Sequence, residues 1–286
     1  MSGLPRSLRR ATNIKVMTLL RLASAPLCAL VLLAQPQISN GPNLMLEPPG
    51  LTAATAAELE HTLVSEPENL DVRMRLVRYY FLQAMPPQRA KHIFWMIEHH
   101  PESNLHATGR LMLQPRLNPL NTPALYEQGK LLWLNALKRQ PENRPILINA
   151  ARYTFAGDPF EAEKLLLRAR RIPAANDEAT RMLVSFYSYS INAELSVGVG
   201  AVYDPNVPGP EYREHVRGLL AHTNEAIFPG RVGLSMAQPV TFPVDSPPPP
   251  EVIELYKRKA AHGVALLKRA QALEPNNPEW RLPAPQ

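Results

Sequence analysis

The sequence predicts an all-α fold of stacked helix-turn-helix units, and three observations predict it. Gly129, Trp133, Ala136 and Pro141 share their spacing with Gly263, Leu267, Ala270 and Pro275. Ala90, Phe94, Ile97 and Pro101 match Ala162, Leu166, Ala169 and Pro173 in a form one residue shorter before the proline. In each copy a small residue admits a close helix neighbour. Bulky or small residues four and seven positions on lie on the same face, and the proline ends the helix. The second observation is helical apolar periodicity from Leu51 onward. The third is 31 prolines, which cluster at 36–49, 205–210 and 243–250 and otherwise punctuate helix ends.

Taken in order, the chain opens with a segment of its own. Arg6, Arg9, Arg10, Lys15 and Arg21 occur with no acidic residue, and the apolar stretch from Leu22 to Ala34 follows. A basic start and a thirteen-residue apolar run fit a secretory signal peptide over 1–34. A membrane span needs about 20 apolar residues, so an uncleaved inner-membrane anchor over 16–34 is the alternative. This segment carries five of the six net positive charges, which leaves the rest near +1. The basic pI therefore implies no phosphate-binding surface, and nucleic acid is not an expected partner. Cys28, the only cysteine, lies within the apolar run. A mature chain without it forms no disulfide and has no thiol chemistry, thiolate-bound metal cluster or cysteine-linked haem.

A proline-rich linker spans 35–50, and helical patterning covers 52–65, 70–84 and 87–99. It weakens over 102–122, where Pro115 and Pro119 imply irregular backbone. It resumes over 123–139, 145–156, 159–171 and 177–195. The stretch Val77-Arg78-Tyr79-Tyr80-Phe81 is echoed by Ala151-Arg152-Tyr153-Thr154-Phe155, each just before a helix carrying the small-bulky-proline pattern. One hairpin of this kind cannot bury its apolar face alone, so the units must stack. The last unit is expected to be split: helix 177–195 would pair with 252–274, and 196–250 would form an insertion. That insertion is read as a glycine-rich loop, one helix at 211–227 and an extended linker at 229–250. The closing helix and tail take 251–286.

In residues 143–176, Ala150, Tyr153, Gly157, Ala162, Leu166 and Ala169 fall at separations that resemble the tetratricopeptide repeat family, with Pro173 one residue early. Ile146 stands where the family has tryptophan, and Asn149 where it has leucine. The likeness is fair over 69–101, is confined to second helices at 123–141 and 252–275, and covers about half the mature chain. What the resemblance implies is a right-handed α-solenoid whose first helices line a concave groove for a protein or peptide partner.

If those helices line a groove, Arg78 and Arg152 could clamp a carboxylate bidentately beside Tyr79, Phe81, Tyr153 and Phe155. The competing structural role is to cap a helix or to pack over a tyrosine. His92, Met96 and His99 are spaced to share a helix face as a soft donor set suited to copper, although Met96 also fits the core stripe of Ile93 and Ile97. Gly233-Leu234-Ser235-Met236-Ala237 lacks the strand and helix that a nucleophile elbow requires and reads as a loop. Glu161, Glu163, Asp177 and Glu178 read as helix-start and surface carboxylates. No catalytic constellation stands out and no cofactor is implied. The expected function is a non-catalytic interaction scaffold exported to a bacterial-type envelope, periplasmic or secreted. Its membrane contact would come only through an uncleaved N-terminus. The alternatives are an enzyme whose site is built by 196–250 against the solenoid, and metal handling through His92, Met96 and His99.

Overall fold

In three places a proline two residues ahead of an asparagine ends one helix and starts the next segment. Asn69 Oδ1 accepts from Val72 N while its Nδ2 donates to Glu66. Asn143 repeats this with Ile146 N and Gln140, and Asn277 with Glu279 N and Glu274. Each asparagine thus satisfies an N–H that the helix leaves open and ties itself to the end of the preceding helix. Prolines also mark helix starts: the helices that begin at Pro86, Pro123, Arg144, Pro159, Pro210 and Pro250 all carry one in the first turn, where no N–H is needed.

The computed structural model describes residues 51–107, 119–195, 207–238 and 248–281, all within the unit Gly41–Gln286. The signal-peptide and linker expectations for 1–50, residues 108–118 of the stretch expected to be irregular, the glycine-rich stretch Val197 to Ala201 and all of 239–247 lie outside the described residues. Those residues are all-helical: α1 Ala53–Ser65, α2 Leu70–Leu82, α3 Pro86–His99, α4 Pro123–Arg139, α5 Arg144–Thr154, α6 Pro159–Arg171, α7 Glu178–Leu195, α8 Pro210–His222, α9 Ile227–Ala237 and α10 Pro250–Leu273. Short 3-10 turns occupy Asn104–Ala107 and Pro278–Trp280. From α1 to α8 each helix packs on the next along the chain. Leu76 and Tyr80 of α2 close one core with Ala56, Leu59 and Leu63 of α1. A larger core runs from α2 to α10 around Ile97, Trp133, Ile146, Leu166, Leu183 and Val232.

The small residues of the repeated pattern have visible reasons. A Cβ on Gly129 would sit 2.1 Å from the Tyr153 hydroxyl, so the first position of the pattern is kept small by the tyrosine of the next hairpin. In the α2–α3 turn, which is one residue shorter than the α5–α6 turn, Ala84 takes φ +59°, a conformation that normally favours glycine.

The insertion differs from expectation. It holds two helices, α8 and α9, rather than one helix and a linker. Pro229 falls at the third position of α9, where its missing N–H costs no hydrogen bond. The Gly233–Ala237 stretch, expected as a loop, forms the last turns of that helix. The principal partner of α10 is α9, while α7 touches α8, α9 and α10. Trp280 closes this end: its ring lies over Gly230, and its Nε1 donates to Glu274 at 2.8 Å.

Candidate functional site

The recurring arginine-aromatic triplets separate by depth. Tyr153 turns into the core, where its hydroxyl donates to Tyr126 O at 3.0 Å and its ring stacks on Tyr126 at 5.3 Å. Burial pushes the phenol well above its ordinary range. It therefore serves as core and does not line a groove. Arg152 and Phe155 instead meet α7. Arg152 donates to Glu178 at 2.6 Å and to Asn149 Oδ1 at 2.9 Å, and Phe155 stacks on Phe186 with ring centroids 3.7 Å apart. Burial holds the Arg152 guanidinium below its usual value against the opposing pull of Glu178. The carboxylate expected from a ligand is thus supplied by the protein itself. On α2, Arg78 and Tyr79 are half-buried, and Phe81 lies beneath the buried guanidinium of Arg89 at 4.8 Å.

Asn149, which stands where the resemblance expects leucine, is a buried connector. Its Nδ2 donates to Pro101 O and to Ser103 O, each at 3.0 Å, and its Oδ1 accepts from Arg152. The amide thereby ties α5 to the loop after α3. Asn149→Leu installs the residue that the resemblance expects yet strands two carbonyls and an arginine. It is expected to lower stability by about 2 kcal/mol in urea denaturation; a neutral or stabilising effect would show that this network contributes nothing.

His92, Met96 and His99 are not gathered into one donor set. His92 and Met96 are buried, and His92 Nε2 lies 2.9 Å from Glu60 Oε1. His99 is exposed, stacks on Trp95 at 4.2 Å and bonds the Trp95 carbonyl through Nδ1. Burial lowers the His92 pKa despite Glu60. Its Nδ1 has no partner among the described residues, which fits a neutral ring protonated on Nε2, since a charged ring would bury an unpaired N–H. Glu60 also accepts from Tyr80 at 2.8 Å and from Lys91 at 3.1 Å. Partial burial pushes its carboxyl up, but these hydrogen bonds outweigh it and hold the group below its ordinary value. Tyr80 is pushed up to about 12 by burial and by Glu60. The cluster fastens α1 to the first hairpin. Among the described residues no group of three or more histidine, cysteine, aspartate or glutamate side chains is placed to hold a metal ion.

A second polar centre went unread in the sequence. Glu163, expected on the surface, is 5% exposed. Its carboxyl accepts from the Tyr187 hydroxyl at 2.8 Å and meets His215 Nε2 at 2.9 Å. The Tyr212 hydroxyl is buried beside it without a well-aligned hydrogen bond. Burial first, and the neighbouring Glu163 next, drive both phenols far above their ordinary range. Tyr212 and His215 belong to α8, so this centre pins the insertion onto α6 and α7. Around it Phe160 packs edge-on to Tyr212 at 5.0 Å, and Phe155 does so at 6.1 Å. Nothing in a helical pattern marks Glu163 as inward-facing, because its neighbour Ala162 already occupies the small position of the repeat. The other carboxylates behave as helix-start residues: Asp177 Oδ1 accepts from Thr180 N, and Glu178 opens α7.

Two hollows matter for ligand chemistry. One, of about 10 Å³, lies among Ile97, His106, Trp133, Asn149 and Arg152. The other is an open depression of about 320 Å³ beside Arg144, Arg170, Asn176 and Asp177. The first is far too small for a metabolite. In the second, Arg144 is committed to Ala169 O and Asn176 O, and Arg170 to Glu225. Among the described residues no helix is long and apolar enough to cross a membrane. Compared with protein-family models, with curated proteins and with solved structures, the chain matches none.

Proposed function

We propose that this chain is an exported, non-catalytic scaffold of the bacterial cell envelope. In this reading its hairpins stack as a right-handed, tetratricopeptide-like α-solenoid, and the first helices α2, α5 and α7 present a concave face to a protein or peptide partner. The observation that carries the reading is the tie between successive first helices. Arg152 to Glu178 and Phe155 to Phe186 join α5 to α7 side by side, as stacked units require. The asparagine boundaries supply the repeat of the units, and the N-terminal segment supports export. With Arg152 engaged by Glu178, recognition falls to the half-buried surface of Arg78, Tyr79 and Phe155.

One observation favours the competing enzymatic reading, namely that Glu163 and His215 meet where the insertion joins the repeats. These groups bond one another and, among the described residues, line neither of the two hollows, so the scaffold reading is preferred. Metal handling through His92 would require undoing its contact with Glu60. The test is capture from envelope extract by the chain from residue 35 onward. A partner should be recovered by the wild type and depleted at least several-fold by Arg78→Ala and by Phe155→Ala. Equal recovery by all three proteins defeats the concave-face reading.

A further inference from the structure

The smaller hollow lies where α4, α5 and the Asn104–Ala107 turn meet, and its polar lining is unevenly satisfied. Trp133 is 1% exposed, and its indole N–H, a donor with no accepting capacity, finds no acceptor among the described residues. Both Asn149 Nδ2 hydrogens are used by Pro101 O and Ser103 O, but among the described residues its Oδ1 accepts only from Arg152, and a carboxamide oxygen has two lone pairs. His106 directs Nε2 to His100 O at 3.0 Å and sets its ring edge-on to Trp133 at 4.9 Å. The hollow therefore brings together one buried donor without an acceptor and one acceptor with spare capacity. Its volume of about 10 Å³ admits the centre of a single water molecule.

We propose that this hollow is a binding site for one structural water, which accepts from Trp133 Nε1–H and donates to Asn149 Oδ1, with the Arg152 guanidinium as its third polar neighbour. Ile93 and Ile97 give the hollow apolar walls, but a dry hollow would leave the indole stranded, which buried polar groups rarely tolerate. A water also gives Asn149 a use for the lone pair that a leucine could not offer. The polar departure from the repeat pattern at this position thus becomes one hydrated junction linking α4, α5 and the loop after α3.

The experiment is water-selective NOE and ROE spectroscopy on the ¹⁵N-labelled protein, read at the Trp133 indole N–H. Trp95, Trp133 and Trp280 are the three tryptophans, so the resonance is assigned by its loss in Trp133→Phe. If that variant does not fold, Trp95→Phe and Trp280→Phe assign it by elimination. The expected result is a water cross-peak with NOE and ROE of opposite sign, which marks a water held for longer than the nanosecond range of surface hydration. Absence of the cross-peak, or NOE and ROE of the same sign, overturns the proposal.

Discussion

Gly233→Val is expected to destabilise the protein by about 3 kcal/mol or more, measured as a drop in urea midpoint. The reason is backbone contact. A Cβ on Gly233 would lie 2.8 Å from Gly263 O and 3.0 Å from Leu267 N, while a Cβ on Gly263 would lie 2.7 Å from Ala237 N. The two glycines therefore mark a crossing where α9 and α10 touch main chain to main chain. No rotamer of a neighbouring side chain can relieve such a clash, so the helices must separate. Separation would undo the packing of Val232, Met236, Leu266 and Leu267, all buried at this crossing. Gly218 is the control: it sits within α8 with open space where a Cβ would stand, and Gly218→Ala should leave stability unchanged or raise it by up to about 1 kcal/mol. If Gly233→Val proves as mild as Gly218→Ala, the close crossing is not a feature of the folded protein.

That crossing shows what the sequence makes legible and what it hides. Gly263 announces itself, because it heads a repeated spacing with Leu267, Ala270 and Pro275. Its counterpart Gly233 belongs to no repeat, and its helix contains Pro229 and runs into further prolines, so composition argues for a linker. The proline is harmless only because it lands in the first turn, and residue counts alone do not reveal that position. The same asymmetry governs the rest of the molecule. Helix periodicity and proline punctuation delimit α1 to α7, since one apolar stripe per helix is a local property. Partner choice is a non-local property: α10 packs chiefly on α9, and α7 is shared among four helices. The inward polar residues are the least legible of all. Glu163 and Asn149 are paired with groups up to 52 residues away, and no local spacing encodes that complementarity. The asparagine caps, by contrast, were readable as a proline two residues before an asparagine, a signal overshadowed by the prolines themselves.

Lowering the pH from 7 to 4.5 is expected to remove a large part of the stability, and His106 is the main cause. Burial pushes its imidazole down from 6.5 to about 4, against the opposing effect of the carbonyls of His100 and Met96. Arg152 adds to the depression, while Glu102 opposes it. In the unfolded chain the ring protonates near 6.5; in the native protein it resists until about 4, so the unfolded state binds more protons throughout that window. Stability is therefore fully present above pH 6.5 and declines as pH falls towards 4, by roughly 3 kcal/mol for a shift of this size. His92, also lowered by burial, acts with the same sign. Glu60 contributes in a lower window, because a carboxyl held below 4.5 loses its contribution only beneath that value. Urea denaturation at half-unit pH intervals reads the slope directly. His106→Gln, which keeps a donor for the His100 carbonyl but does not titrate, should flatten the profile between pH 6.5 and 4.5 to the share left by His92. A wild-type profile that is flat over this interval, or an NMR titration placing His106 near 6.5, would mean that the ring is not held in the buried junction between Trp133 and Arg152.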